Sequence, residues 1–122
     1  MLDPTMWYDC ESYLYGVDLF NHAYWWEAHE AWEGPWRAAG RQSATGFFLQ
    51  GLIQISVARL KWSQTLIRPA QRLSRDGRAK LALNKGRFAG LEISGFGAHV
   101  STFFDVRKSQ SERQLPLVIT LE

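Results

Sequence analysis

The spacing of apolar residues along the chain predicts helices rather than strands. Tyr13, Val17 and Phe20 recur at the three- and four-residue intervals that share one helical face. No segment alternates apolar and polar residues as a half-buried strand does. The pattern predicts a leader at 1–9, helices at about 10–22, 24–39, 44–64, 67–83 and 98–106, and a tail at 107–122. We therefore expect one all-α domain over 1–122, a compact bundle of about five helices.

Glycine and proline mark the boundaries of these helices. Gly40 follows the second helix at a position where glycine is typical, whereas Pro35 should kink that helix or begin a new turn. A glycine-spaced segment with Gly90, Gly95 and Gly97 precedes the last helix. The apolar, β-branched run 115–121 predicts a docked extended segment or a minor strand.

The third helix is apolar on nearly every side, which predicts a buried central helix. Gln50 and Gln54 nevertheless lie one turn apart on its remaining stripe, beside Gly51 and Ala58. A buried amide without a hydrogen-bond partner costs about 1–3 kcal/mol, and small residues allow another helix to approach closely. The sequence therefore predicts a polar contact inside the bundle.

The second helix offers the partners for this contact. Trp25, His29, Trp32 and Trp36 share one of its faces, with carboxylates at the edge. We expect Glu30 or Glu33 to meet Gln50 or Gln54 directly or through one water, with His29 close by. Replacing Gln54 by Leu should then cost about 1–3 kcal/mol. The full candidate cluster is Glu27, His29, Glu30, Trp32, Glu33, Trp36, Gln50 and Gln54.

Composition excludes several classes of protein. The single cysteine, Cys10, rules out an intrachain disulfide and a cysteine-rich zinc site, and favours a cytoplasmic location. No uncharged apolar run reaches about 18 residues, so no membrane span is expected. The start, Met1 to Pro4, lacks the basic and apolar regions of a signal peptide.

Charge is distributed unevenly along the chain. Residues 1–36 carry seven acids and no Lys or Arg, whereas 59–87 carry nine bases and only Asp76 as an acid. Such a pattern arises either from acidic and basic helices that neutralise each other or from a face that binds nucleic acid. We favour the first interpretation and expect no specific nucleic-acid binding, because the bases are not interleaved with exposed aromatics.

Two separated signatures resemble the family called domain of unknown function 309. They are Leu19-Phe20-Asn21 followed by Trp26-Glu27-Ala28-His29-Glu30-Ala31-Trp32-Glu33 and Trp36-Arg37, and then Leu49-Gln50-Gly51-Leu52-Ile53-Gln54. The stretch 90–93 is similar to the C-terminal end of that family. The segment 64–69 departs from the glycine-containing turn that the family often has there. The resemblance implies an all-α fold and brings no established reaction.

Metal binding and catalysis are two specific functional hypotheses for His29. With Glu33 at i+4 it can bind a divalent ion, but a further ligand would have to come from His22, His99 or Glu92. A hydrolase-like acid–base enzyme using His29, Glu30 and Glu33 is the other alternative. Neither a paired nucleophile nor a glycine-rich phosphate loop accompanies these residues. We therefore expect no cofactor.

A structural or interaction module accounts for the same residues without a catalytic or metal-binding role. Buried polar networks can fix how two helices dock, and the tryptophans occupy packing positions. An aromatic pocket with carboxylates also suits a small cationic or amide ligand. The partner is thus an unknown protein or small molecule. Apolar surface at Trp7, Trp62 and the tail makes a homodimer a further expectation.

Overall fold

The computed structural model of the chain describes residues 1–109 and 116–122. Its helices are a short 3-10 helix (Pro4–Asp9), α1 (Glu11–Asn21), α2 (Trp25–Ala39), α3 (Ala44–Ser63), α4 (Ile67–Leu81) and α5 (Ile93–Phe103). Between α4 and α5, β1 (Arg87–Phe88) and β2 (Leu91–Glu92) form a small antiparallel hairpin. The predicted all-α fold is confirmed, with this hairpin and the first 3-10 helix as additions. No described helix is long and apolar enough to cross a membrane.

Local signals explain where the central helices begin and end. Gly40 takes a positive φ of 87° at the end of α2, as predicted from its position. The hydroxyl of Ser43 then accepts a hydrogen bond from the Gly46 amide at 2.9 Å, which caps α3. Pro35 lies inside α2 without ending it.

The helices pack in chain order, α1 on α2, α2 on α3 and α3 on α4. α3 is the central helix, as predicted, and contributes fully buried side chains such as Phe48, Leu49 and Ile55. Its contact with α4 is close enough that a Cβ on Gly51 would lie 2.8 Å from the Gly77 carbonyl oxygen. The predicted close approach along Gly51 is therefore made by α4.

The prediction for the last helix was wrong at its start. α5 begins at Ile93, five residues before the predicted 98, and ends at Phe103. Gly95 lies in its first turn, where its amide donates to the Glu92 carboxylate at 3.1 Å. This cap and the buried side chains of Ile93 and Phe96 outweigh the low helix propensity of glycine.

The C-terminal tail is docked in an extended form, one of the two predicted outcomes. Asn21, the last residue of α1, holds it through both backbone groups of Ile119. The side-chain amide donates to the Ile119 oxygen at 2.9 Å and its oxygen accepts from the Ile119 amide at 2.8 Å. Leu117 and Ile119 are buried. The part of the predicted tail at 110–115 lies outside the described residues.

The two tryptophans invoked for a homodimer pack within the chain instead. The Trp7 ring lies so close to Gly90 that a Cβ there would be 2.7 Å away. Trp62 packs against the rings of Phe103 and Phe104, with centroids 5.7 and 5.4 Å away. Both side chains are partly buried by these contacts, and the homodimer stays a prediction.

Candidate functional site

Four residues along the outer side of α2 form a continuous series of contacts. The His29 Nδ1 lies 2.8 Å from the Trp26 carbonyl oxygen, and its Nε2 lies 2.9 Å from Glu33 Oε1. The other oxygen of Glu33 accepts a hydrogen bond from Arg37 at 2.6 Å. We call Trp26, His29, Glu33 and Arg37 the α2 array. Their spacing of three or four residues brings each side chain over the next.

The array combines a sheltered histidine with an exposed indole. The His29 side chain is 15 % exposed, whereas Trp26 is 50 % exposed and its ring centroid lies 4.4 Å from that of His29. Both nitrogens of His29 face oxygen atoms. Contacts on both sides therefore fix the orientation of the ring.

The predicted contact between the two helices is not a direct hydrogen bond. Among the described residues, neither Gln50 nor Gln54 bonds to Glu30 or Glu33, and the buried Oε1 of Gln54 has no partner. Glu33 binds His29 and Arg37 on its own helix instead. A water bridge between the two helices stays a prediction.

The rotation of α3 about its axis explains this difference. Ser56 donates to the Trp25 carbonyl oxygen, and Arg59 stacks on Trp25, so these two residues mark the side of α3 that faces α2. At about 100° per residue, Gln54 lies roughly 140–160° around the helix from both. It lies only about 60° from Gly51, on the side of α4. This position on α3 accounts for the absence of a direct hydrogen bond between Gln54 and the carboxylates of α2.

The remaining cluster residues separate into core and surface. Trp32 is fully buried and donates from Nε1 to the Tyr13 carbonyl oxygen at 3.2 Å, so it is a core residue. Trp36 is partly buried, and its Nε1 has no partner in the part of the chain that the structure describes. Glu27 and Glu30 are exposed. The structure therefore brings together only His29 and Glu33 of the predicted cluster.

Arg59 docks α2 on α3 and was missed by the sequence analysis. Its guanidinium carbon lies 4.1 Å from the ring centre of Trp25 and 4.3 Å from that of Phe103. Burial between these rings lowers the pKa of Arg59 to about 10. The sequence assigned this residue to the basic segment 59–87, because nothing in its spacing signals that two distant rings enclose it.

The proposed metal ligands do not converge. Within residues 1–109 and 116–122, no group of three or more His, Cys, Asp or Glu side chains is arranged to hold a metal ion. His22 contacts Asp18 on its own helix, Glu92 caps α5, and His99 is exposed. His29 and Glu33 are a pair without a third ligand.

A family model for a domain of unknown function, DUF309, matches residues 13–73. The chain belongs to the DUF309 family. The DUF309 match runs from α1 into α4 and includes the α2 array together with Gln50 and Gln54. The similarity noted at 90–93 lies beyond it and stays a prediction. A comparison with curated proteins found no match.

Proposed function

We propose that this DUF309 protein is a binding module whose recognition surface is the α2 array. The observation that carries the proposal is the half-exposed indole of Trp26, which lies against His29. Glu33 holds this histidine and is itself bound by Arg37. A tryptophan that serves only the core loses most of its exposed surface. Exposed Trp and Arg side chains are the types enriched at the centres of protein interfaces.

The contacts within the array also lower the cost of binding. Each long side chain that a partner immobilises costs about 0.5–1.5 kcal/mol of conformational entropy. His29 and Glu33 are already held, by the Trp26 carbonyl oxygen on one side and Arg37 on the other. The surface is therefore preorganised before a partner arrives.

A protein partner suits this surface better than a small molecule. Small ligands bind in concave cavities that enclose most of their surface. The array runs along the outside of one helix, a shape that suits a partner surface laid across it.

The same contacts count against the acid–base alternative. A general base needs a nitrogen free to accept a proton from substrate, and both nitrogens of His29 already face oxygen atoms. Glu33 is likewise occupied by Arg37. The site thus offers preformed contacts for a partner, while His29 and Glu33 are already engaged with other residues of α2.

Site-specific photocrosslinking in cells tests the proposal. A benzophenone amino acid at position 26 should give one or a few discrete crosslinked species, and Glu33→Gln in the same chain should weaken them. The matched control places the label at Tyr15, which is 60 % exposed on α1. Crosslinks that are absent at position 26, or identical from both positions, would show that the α2 array is ordinary surface.

A further inference from the structure

We infer that the groove between α4 and α5 is a binding site for a small phosphate monoester. A cavity of about 230 Å³ opens there, lined by three guanidinium groups, from Arg75 and Arg78 on α4 and from Arg107 after α5. Ser101 of α5 and Asp105 line the same cavity. This site is separate from the α2 array and does not depend on the function proposed for it.

The net charge of the cavity depends on the ion pair that Asp105 forms. Arg107 binds this carboxylate with two hydrogen bonds, from Nε to Oδ1 and from Nη2 to Oδ2, each 3.0 Å long. These contacts lower the pKa of Asp105 to about 2, so the pair is neutral overall at pH 7. Arg75 and Arg78 form no ion pair with any described carboxylate. Among the described residues the cavity therefore holds two positive charges without a paired carboxylate, which match a phosphate dianion.

Arg78 also carries an unused donor inside the protein. Its Nε is buried and has no hydrogen-bond partner among the described residues. This atom is not accessible from the cavity, so the guanidinium nitrogens that would meet a phosphate oxygen are the remaining ones, which present paired N–H donors. Two neighbouring side chains already donate a hydrogen bond within the protein, Gln71 to the Phe104 oxygen and Ser74 to the Gln71 oxygen. Arg75, Arg78 and Ser101 also line the cavity and carry N–H or O–H donors.

A second cavity next to the first indicates that the ligand has an organic part. This cavity, of about 520 Å³, shares Arg75 and Arg78 and is otherwise lined mainly by small or apolar residues, including Leu81, Ile93 and Gly97. A phosphate in the smaller cavity would leave its ester group facing the larger one. A monoester fits this arrangement, whereas the free anion leaves the larger cavity unused.

Arginines elsewhere on α4 make the proposal testable by a matched control. Arg72 lies one turn from Arg75, is exposed, and lines neither cavity. Replacing it by Gln removes the same charge from the same helix. If the loss of phosphate affinity depends on which arginine is replaced, and not only on the net charge, the ligand binds at a specific site and is not held by general attraction to the basic segment.

The experiment is calorimetric titration at constant ionic strength with sodium phosphate, with phenyl phosphate, and with a single-stranded oligonucleotide that has no terminal phosphate. We expect phosphate and phenyl phosphate to bind, phenyl phosphate more tightly. Arg75→Gln and Arg78→Gln should each weaken binding about tenfold or more, while Arg72→Gln stays within about threefold. Arg75 is exposed, so its variant keeps the test valid if Arg78→Gln does not fold.

Four results would overturn the inference. They are no binding of either phosphate compound, equal weakening by all three arginine variants, binding of the oligonucleotide alone, and phenyl phosphate binding no tighter than free phosphate. The third would assign the basic segment to nucleic acid. The last would remove the role given to the larger cavity.

Discussion

Replacing Gly16 by Ala should destabilise the protein because α1 and α2 meet there without room for a side chain. A Cβ at Gly16 would lie 2.1 Å from Trp32 Nε1 and 2.5 Å from Cδ1 of the same ring. Carbon atoms in contact normally lie about 3.5–4.0 Å apart, so the ring or the helix would have to move by roughly 1.4 Å. Trp32 is fully buried, which leaves its ring no open space to enter.

The size of the effect follows from three contributions. Overpacking a buried site costs about 1–3 kcal/mol, and a shift of this size belongs at the upper end. Moving the indole also weakens its hydrogen bond to the Tyr13 oxygen, a loss of about 1 kcal/mol. Alanine regains about 1 kcal/mol because it is a better helix former than glycine. The free energy of unfolding should therefore fall by about 3 kcal/mol.

Gly34 provides the matched control for this substitution. It lies inside α2, and a Cβ there would meet nothing within 4 Å. Gly34→Ala should therefore change the stability by less than about 1 kcal/mol, because the higher helix propensity of alanine is opposed by the contact of its Cβ with the adjacent Pro35 ring. Urea unfolding followed by circular dichroism measures both variants against the parent chain. If Gly16→Ala unfolds at the same urea concentration as Gly34→Ala, the close packing derived for α1 and α2 is incorrect.

Substitutions at three further positions test other parts of the fold by the same unfolding assay. Gln54→Met should leave stability unchanged or raise it by about 1 kcal/mol, because the buried Oε1 that it removes has no partner among the described residues. Asn21→Ala should cost about 1–2 kcal/mol by removing both hydrogen bonds to Ile119, and Asn21→Asp should cost at least as much, because a carboxylate oxygen would then face the Ile119 carbonyl oxygen. Tyr13→Phe should cost about 1 kcal/mol near pH 7, since the phenol donates to the Ala89 oxygen at 2.8 Å. Burial raises the pKa of Tyr13 above its ordinary value of 10.0, so the folded chain keeps the proton that the unfolded chain loses. The parent should therefore lose stability as the pH rises through about 10, and the variant should lose less.

Each of these expectations has a contrary result. A loss of stability above about 1 kcal/mol in Gln54→Met, with Gln50→Met as the comparison, would restore the polar contact predicted from sequence. Stabilities equal to that of the parent in both Asn21 variants would mean that the hydrogen bonds to Ile119 contribute nothing. Parallel stability curves for Tyr13→Phe and the parent above about pH 10 would show that the phenol is not protected by burial.

The helices were predictable because their signals are local. The apolar pattern of α3 and the glycine at position 40 depend on neighbouring residues, and both gave the observed structure. α5 shows the limit of such signals. Its two glycines, Gly95 and Gly97, suggested an irregular segment, whereas the Glu92 cap and the burial of Phe96 make it helical.

The candidate site was predictable only within one helix. The spacing of His29 and Glu33 correctly placed them side by side, because i and i+4 residues meet on any helix. Which helix faces Gln54 depends on how α3 is rotated in the bundle. Gly51 and Gly77 determine this rotation because they allow α3 and α4 to pack closely. The residue pattern along one helix does not show which glycines come into contact. The stacking of Arg59 between Trp25 and Phe103 depends on three elements at once.

The hydrogen bonds between Asn21 and Ile119 have a consequence for the order in which the protein folds. They join residues 98 positions apart, while the contacts of α1 with α2, α2 with α3 and α3 with α4 join neighbours in the chain. Contacts between neighbouring segments form first, because closing a longer loop costs more entropy. The tail then docks on helices that are already assembled. Weakening it should accelerate unfolding and leave the folding rate nearly unchanged. The amide of Ile119 should also exchange with solvent through a local opening that does not require the helices to separate.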